Sequence, residues 1–270
     1  MMKPSTFALL GFLLLSPASA NAQGLLWYLP EDNTGVEYQG AITTETVRGD
    51  LESGTEVIRK ERQMTIKSVG QEAAEYNGTM QPCRWIEIKV VTGEAGAAGI
   101  DPGPVGQRIY KVLVPESKII DQPKDASNVE NIMVPIVKGF RRNGESAVQP
   151  IRTKALTFYP TICQLMTFPE LEVIAGSETP QMKATNISVN ARHVKGTTAI
   201  ERPESRTEAE ADMWVSKEVP FGLARWETVV VQKNKESTAP RSAFVVTRTT
   251  KCEMSVSRIL TSAESELVVQ

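Results

Sequence analysis

Apolar residues alternate with polar residues along most of this chain, and this period of two constrains the fold more than any other feature. Between residues 36 and 47, Val36 and Tyr38 fall on one face of an extended strand, while glutamate and glutamine fall on the other. Residues 84–92 and 108–114 show the same pattern. Further strand-like segments cover residues 183–191, 211–216, 225–232, 243–249 and 252–258. We predict a mainly β protein of eight or more strands, antiparallel because most connections are too short for helical crossovers.

The first 22 residues predict a cleaved secretory signal peptide. Lys3 precedes an apolar run, residues 7–15, that is too short to span a membrane, and small residues follow it. Cleavage after Ala20 or after Ala22 satisfies the A-x-A rule. We therefore expect an exported protein, periplasmic or extracellular. No later apolar run is long enough to predict a transmembrane span.

The remaining chain predicts a single β-rich domain over residues 23–270. It is long enough for one sizeable core, and no linker rich in glycine, serine or proline divides it into halves. Two stretches interrupt the alternation and predict loops, the glycine-rich residues 93–106 and the residues 115–155. Within the second, the dipeptide Asn143-Gly144 predicts a hairpin turn. A short helix is expected only over residues 154–166.

The charge balance excludes nucleic acid as an expected partner. The whole chain has 30 basic and 32 acidic residues, and the signal peptide removes Lys3 and no acid, so the mature formal charge is −3. A protein that binds phosphate backbones normally carries a basic surplus or a basic stripe. One basic group flanks the predicted hairpin and could meet an anionic lipid or glycan, but its charges are spread over two strands and a turn, so a solvated hairpin tip is the favoured interpretation. Its members are Lys138, Arg141, Arg142, Arg152 and Lys154.

Three cysteines, Cys83, Cys163 and Cys252, leave an odd thiol in an oxidising compartment. One disulfide plus one free thiol is the simplest expectation, and three pairings are possible. The apolar surroundings of Cys163 suit a buried thiol, which slightly favours Cys83 with Cys252. No spacing typical of a zinc site occurs, and we predict no metal and no cofactor.

The single histidine, His193, limits the catalytic possibilities. It lies in a strand-like segment without a nucleophile motif, so we predict a solvent-facing histidine and no catalytic residue. Chemistry by two carboxylates, as in glycoside hydrolysis, remains open. The densest acidic group, between residues 201 and 212, also contains arginines and proline, and it predicts a solvated loop that leads into a strand.

The aromatic residues suggest a binding surface. Trp27 follows the signal peptide in an apolar segment that should dock onto the domain or a partner. Trp85, Trp214 and Trp226 fall on predicted strands, as does Tyr110. Both faces of the strand at Trp214 carry large apolar side chains, which fits a curved sheet with something bound or packed against it. Ordinary core packing is the alternative explanation.

Residues 211–230, ADMWVSKEVPFGLARWETVV, resemble a strand, turn and strand of secreted bacterial proteins in the lipoprotein-carrier (LolA-like) superfamily. Pro220 fixes one backbone torsion of the turn, and Gly222 permits the positive φ that closes it. The resemblance implies a curved antiparallel sheet or incomplete β-barrel with one short helix and long loops. It also implies an apolar concave face that binds lipid-like groups or hydrophobic partners without catalysis. The residues expected to contact such a ligand are Trp85, Tyr110, Trp214 and Trp226.

Three functional hypotheses follow from these observations. The first is an exported non-enzymatic binding protein that holds a lipid or another apolar small molecule in the concave sheet. The second is a secreted hydrolase that uses two carboxylates. The third is a structural cell-envelope protein that acts through protein contacts, which is favoured if the protein's own side chains fill the concave face.

Overall fold

The structure of the protein, a computed structural model, describes residues 24–97, 99–119, 134–156, 161–166, 168–169, 171–182 and 187–268. The predicted signal peptide and both candidate cleavage sites lie outside the described residues. Among the described residues, no helix is long and apolar enough to cross a membrane.

The regular structure of the described residues consists almost entirely of strands. In chain order these are β1 (Gly35–Val47), β2 (Thr55–Tyr76), β3 (Thr79–Gly96), β4 (Gly99–Asp101), β5 (Gln107–Pro115), β6 (Val134–Pro135), β7 (Lys138–Asn143), β8 (Gln149–Pro150), β9 (Ala155–Leu156), β10 (Leu171–Glu178), β11 (Ala191–Glu201), β12 (Ser205–Val215), β13 (Leu223–Asn234) and β14 (Val245–Leu260). Two 3₁₀ turns, Glu116–Lys118 and Arg241–Ala243, are the helical elements of the same residues. The mainly β prediction is confirmed.

Twelve strands form one antiparallel sheet that does not close into a barrel. The strand order is β10-β11-β12-β13-β14-β1-β2-β3-β5-β7-β8, and β4 pairs with β3 beside this path. The short strands β6 and β9 pair separately. Within the segment expected to hold a helix, the described residues 155–156 form β9 and residues 161–163 form a turn.

One face of the sheet, the covered face, packs against other segments of the chain. Leu25 and Leu26 from the N-terminal segment, together with Phe168 and Phe221 from two later loops, join the sheet residues in one apolar core. Trp27 donates a backbone hydrogen bond to Phe221 over 2.8 Å, so the N-terminal segment docks onto the domain as expected. This burial removes apolar surface from water and stabilises the fold.

The turn before β13 depends on the glycine that the sequence singled out. Gly222 has a φ of +96° and lies so close to the N-terminal segment that an added Cβ would approach Tyr28 to 2.6 Å. Only glycine combines that backbone conformation with that close approach. The predicted role of Gly222 is therefore confirmed, and its neighbour Phe221 also has a positive φ, of +64°.

The opposite face, the outer face, is partly crossed by the C-terminal tail, residues 261–268. The carboxylate of Glu87 is 1% exposed and accepts hydrogen bonds from the Ser265 hydroxyl and from the backbone of Glu266 and Leu267. Lys67 and Lys89 pair with Glu266 over 2.6 and 2.7 Å. Backbone donors and paired charges together offset the cost of burying Glu87.

All three cysteines are buried and free, which corrects the expected disulfide. Cys83 lies on β3 and Cys252 on β14, three strand positions apart, or about 14 Å at the usual spacing of strands. A disulfide requires Cα atoms within about 7 Å. The two side chains also point to opposite faces of the sheet, because Cys252 belongs to the main core and Cys83 does not.

The glycine-rich stretch is more ordered than a simple loop. Its first residues continue β3, and β4 pairs back onto them between Glu94 and Asp101. A Cβ at Gly93 would come within 1.7 Å of the Asp101 carbonyl oxygen, so the close backbone approach requires glycine there. Farther along, β7 and β8 form a hairpin as predicted, but its connection is longer than the expected two residues, since Asn143 ends β7 and β8 begins at Gln149, and Gly144 has a φ of +52° within it.

Candidate functional site

The four aromatic residues expected to contact a ligand do not form one site. Trp226 and Tyr110 lie on the covered face, and Trp85 and Trp214 lie on the outer face, as the alternation of their strands requires. On each face the two residues are five strand positions apart, which is about 24 Å along the sheet.

Trp226 is a core residue in this structure. It is completely buried, and its Nε1 donates to the carbonyl oxygen of Cys163 over 3.1 Å. Its ring meets that of Tyr38 edge to face, with centroids 4.9 Å apart, and the Tyr38 hydroxyl donates to the Leu223 carbonyl. Tyr110 is half-buried and packs against the same core from β5. The indole N–H of Trp226 and the hydroxyl of Tyr38 therefore both have hydrogen-bond partners within the chain.

Trp214 belongs to a cluster on the outer face, which we call the Trp214 cluster and which contains Glu178, His193, Asp212, Trp214 and Arg225. The rings of His193 and Trp214 stack with centroids 4.4 Å apart, because β11 and β12 place them directly opposite each other. The Arg225 guanidinium lies 5.0 Å from the Trp214 ring centroid. Trp214 Nε1 donates to Glu178.

Both basic side chains of the Trp214 cluster have carboxylate partners among the described residues. His193 places Nε2 2.8 Å from Asp212 Oδ1 and Nδ1 3.2 Å from Glu178 Oε1, and Arg225 pairs with Glu227. The His193 side chain is only 15% exposed. The expectation of a solvent-facing histidine without partners is therefore wrong, and the missing information was the register of the strand pairs. Through these contacts, His193 joins β10, β11 and β12 on the outer face.

The acidic residues before this cluster are also paired. Glu208 binds Lys233 and Arg206, and Glu210 binds Lys195 over 2.5 Å. The hydrogen bond from Lys233 is the largest influence on the pKa of Glu208 and, against the opposing effect of burial, leaves it below its usual value. The acidic group was expected to form a loop, but only residues 202–204 lie between strands, and Glu208 and Glu210 belong to β12 itself.

Trp85 lies in a different environment on the same face, which we call the Trp85 patch and which contains Trp85, Lys111, Lys138, Phe140 and Arg142. The rings of Trp85 and Phe140 stack with centroids 6.3 Å apart and an interplanar angle of 26°. Lys111 and Lys138 place their Nζ atoms 5.6 and 5.8 Å from the Trp85 ring centroid. These distances are typical of cation–π contacts.

Strand register brings the Trp85 patch together. Leu113 on β5 lies between Trp85 on β3 and Lys138 on β7, and Lys111 lies beside Phe140. Because residues two apart share a face, Lys138, Phe140 and Arg142 all project from the same side of β7. Arg141 belongs to the other side, so the basic group identified in the sequence is divided between the two faces.

The cations of the Trp85 patch lack acidic partners among the described residues. Lys111, Lys138 and Arg142 form no ion pair with any described carboxylate, whereas the neighbouring Lys67 and Lys89 are both paired. Among the described residues, Lys111 donates its one hydrogen bond to the Leu267 carbonyl, over 3.3 Å. Among the residues that the structure describes, the Nε of Arg142 is buried and has no hydrogen-bond partner. An unpaired donor of that kind is uncommon in folded proteins.

A carboxylate at the border of the patch accepts a hydrogen bond from the indole ring. Glu72 accepts a hydrogen bond from Trp85 Nε1 over 2.9 Å, which fixes the orientation of the ring. Glu72 also lines a cleft of about 430 Å³ at the β2–β3 hairpin, together with Met80 and Gln81. The patch therefore combines two half-buried rings, three cations and an adjoining cleft.

The chain matches no protein-family profile and no curated protein. The resemblance of residues 211–230 to LolA-like proteins accordingly stays a prediction. Within the described ranges, no group of three or more histidine, cysteine, aspartate or glutamate side chains is arranged to hold a metal ion. The Trp85 patch is the candidate functional site, because it combines unpaired charge with accessible apolar surface.

Proposed function

We propose that this protein is an exported, non-enzymatic binding protein and that its ligand binds at the Trp85 patch. The observation that carries the proposal is that Lys111 and Lys138 lie over the Trp85 ring, with Arg142 two residues beyond Phe140 on the same face of β7, and that none of the three has an acidic partner among the described residues. Like charges on one patch repel one another, and an anion relieves that repulsion. Export is supported by the leader-like residues 1–22.

The ligand that fits this patch has an anionic group and an apolar part. Charged hydrogen bonds from lysine and arginine recognise phosphate and carboxylate groups. The rings of Trp85 and Phe140 offer apolar surface beside those donors, as ligand sites commonly do. A lipid-like molecule with an acidic headgroup meets both requirements.

The covered face is a less suitable place for that ligand. Leu25, Leu26 and Phe168 pack onto the sheet there, and Trp226 hydrogen-bonds to Cys163. A ligand at Trp226 would have to displace these segments. The lipid-like ligand expected from the sequence is therefore proposed for the outer face, with Trp85 as its contact.

Binding of a monomeric anionic amphiphile tests the proposal. Isothermal titration calorimetry with dodecyl phosphate, below its micelle concentration, should give a dissociation constant on the order of 10 to 100 µM. Neutral dodecyl maltoside is the matched control and should bind at least tenfold more weakly. The variant Lys138→Gln/Arg142→Gln should lose at least tenfold in affinity for dodecyl phosphate. Equal binding of both amphiphiles, or no binding of either, would contradict the proposal.

A second candidate function, a structural role through protein contacts, is favoured by apolar side chains exposed at one end of the sheet. The ends of β1, β2 and β14 lie together there. Their exposed residues are Val47, Val57, Ile58, Val245 and Val246. Val57 and Ile58 are consecutive residues of β2, so exposed apolar side chains occur at this end on both faces of the sheet. Exposed apolar groups of this kind are a common component of protein interfaces. Analytical ultracentrifugation should then show concentration-dependent association that Val57→Lys/Val245→Lys abolishes, whereas a monomer at all concentrations would exclude self-association at this surface.

A further inference from the structure

We infer that the Trp85 patch docks the protein onto the surface of an anionic phospholipid bilayer. This inference rests on the proposed function, since it identifies the source of the anionic amphiphile as a membrane. Three features support it: the size of the patch, its position in the sheet and its charge.

The patch is the size of a lipid headgroup rather than of a protein interface. It spans three neighbouring strands, β3, β5 and β7, and the residues from Lys138 to Arg142 along β7. These spans correspond to about 10 Å across the strands and about 13 Å along them. A stable protein interface buries about 800 Å² on each partner, several times this footprint. One or two phosphate headgroups fit the patch.

The position of the patch leaves it open to a flat surface. β7 is followed in the sheet only by the two-residue strand β8, so the patch lies close to one edge. Lys138 is exposed, and Trp85 and Phe140 are each half-buried. Half-buried tryptophan suits the headgroup region, where indole rings of membrane proteins concentrate.

The charge of the patch determines the expected strength of docking. A lysine or arginine near an anionic membrane surface strengthens binding by about fivefold. Three unpaired cations therefore contribute about 100-fold. The attraction should weaken as salt is added, because charges beyond about 10 Å are screened at 0.1 M ionic strength.

Other cations of the outer face should contribute little. His193 and Arg225 beside Trp214 are paired with carboxylates, and so are Lys67 and Lys89 beside the tail. A paired cation brings its acidic partner to the membrane, and the repulsion of that partner cancels the attraction. Docking should therefore depend on the patch and not on the total number of basic residues.

Vesicle co-sedimentation at low salt tests this inference. Vesicles of phosphatidylcholine in which a third of the lipid is phosphatidylglycerol should sediment the wild type, and vesicles of phosphatidylcholine alone should not. The variant Lys111→Gln/Lys138→Gln/Arg142→Gln should bind the anionic vesicles about 100-fold more weakly. Since Lys111 also contacts the tail, the double variant Lys138→Gln/Arg142→Gln provides a second reading, with a loss of about 25-fold.

A matched control removes the same charge elsewhere. Arg59, Arg241 and Lys251 are exposed and paired with acids, and replacing all three with glutamine should leave vesicle binding unchanged. Equal losses in the control and the patch variants would show nonspecific attraction and overturn the inference. Binding of monomeric dodecyl phosphate without binding of vesicles would overturn the membrane inference and leave the proposed function intact. Failure of both would overturn the two together.

Discussion

Trp85 and Trp214 lie on the same face of one sheet and have similar neighbours, yet their surroundings differ in one respect. Each indole stacks on a second ring, Phe140 or His193, and each has cations close to it. Each also donates its N–H to a glutamate, Glu72 or Glu178. By composition alone the two regions would be assigned the same role.

The difference is the number of carboxylates that compensate the cations. Around Trp214, both His193 and Arg225 are paired, and His193 joins β10 to β12 through Glu178 and Asp212. Around Trp85, the described residues supply no such pairs to Lys138 or Arg142. A compensated cluster stabilises the fold, whereas the uncompensated one is where we propose that a ligand binds. Charge pairing, and not the presence of exposed aromatic residues, is the feature by which that proposal separates the two regions.

The largest expected difference between the two regions is in stability. Trp214→Ala should lower the free energy of unfolding by about 2 to 3 kcal/mol, because it leaves a gap between His193 and Arg225 and removes the donor to Glu178. Trp85→Ala should lower the free energy of unfolding by about 1 kcal/mol, since its ring is half-buried and the lysines beside it form no ion pairs with described carboxylates. Urea denaturation followed by circular dichroism measures both. Equal losses would mean that both regions are structural.

A smaller effect is expected at the histidine. His193→Ala should destabilise the protein by about 1 to 2 kcal/mol through the loss of the hydrogen bond to Asp212, the contact with Glu178 and a stacked ring. His193→Phe is the matched control, since it retains a ring but no hydrogen bonds, and its loss should be intermediate. Binding of dodecyl phosphate should be unchanged in both variants. A loss of binding with the fold intact would place the ligand at the Trp214 cluster instead.

The smallest effect concerns Glu266 in the C-terminal tail, whose carboxylate pairs with Lys67 and Lys89. Burial is the largest single influence and tends to raise the pKa of Glu266, but the hydrogen bonds and charges of Lys67 and Lys89 together lower it below 4.5. A carboxylate with a lowered folded pKa contributes stability above its unfolded pKa and loses it as the pH falls through the folded value. Glu266→Gln should therefore shift the urea midpoint slightly at pH 7, and this difference should disappear once the pH falls below the lowered folded pKa of Glu266. A difference that persists in acid would contradict this account of the tail.

The strands that the sequence revealed are those with regular alternation and one buried face. β1, β5 and β13 were predicted within a few residues, because their apolar residues face the core at every second position. The long strand β2 was missed because charged residues fill the exposed half of it and a bulge near Gly70 interrupts its pairing. Residues 187–190, predicted as strand, instead precede β11.

The candidate site was visible in the sequence only as separate parts. Trp85 was identified as a strand aromatic, and Lys138 and Arg142 as part of a basic group. Their proximity depends on the pairing of β3 with β5 and of β5 with β7, across long stretches of chain. The partners of His193 and the burial of Glu87 under the tail depend on pairing and docking of the same nonlocal kind. Local sequence patterns indicate which face of a strand is buried, but they do not indicate which strands are neighbours in the sheet.

The measurement that tests the account most directly follows tryptophan emission while dodecyl phosphate is added to the wild type, Trp85→Phe and Trp214→Phe. A ligand that desolvates an indole changes its emission, and phenylalanine removes that signal while keeping a ring in place. The account predicts a ligand-induced change in the wild type and in Trp214→Phe, and the loss of that change in Trp85→Phe. A change that persists in Trp85→Phe and disappears in Trp214→Phe would contradict the assignment of the binding surface to the Trp85 patch.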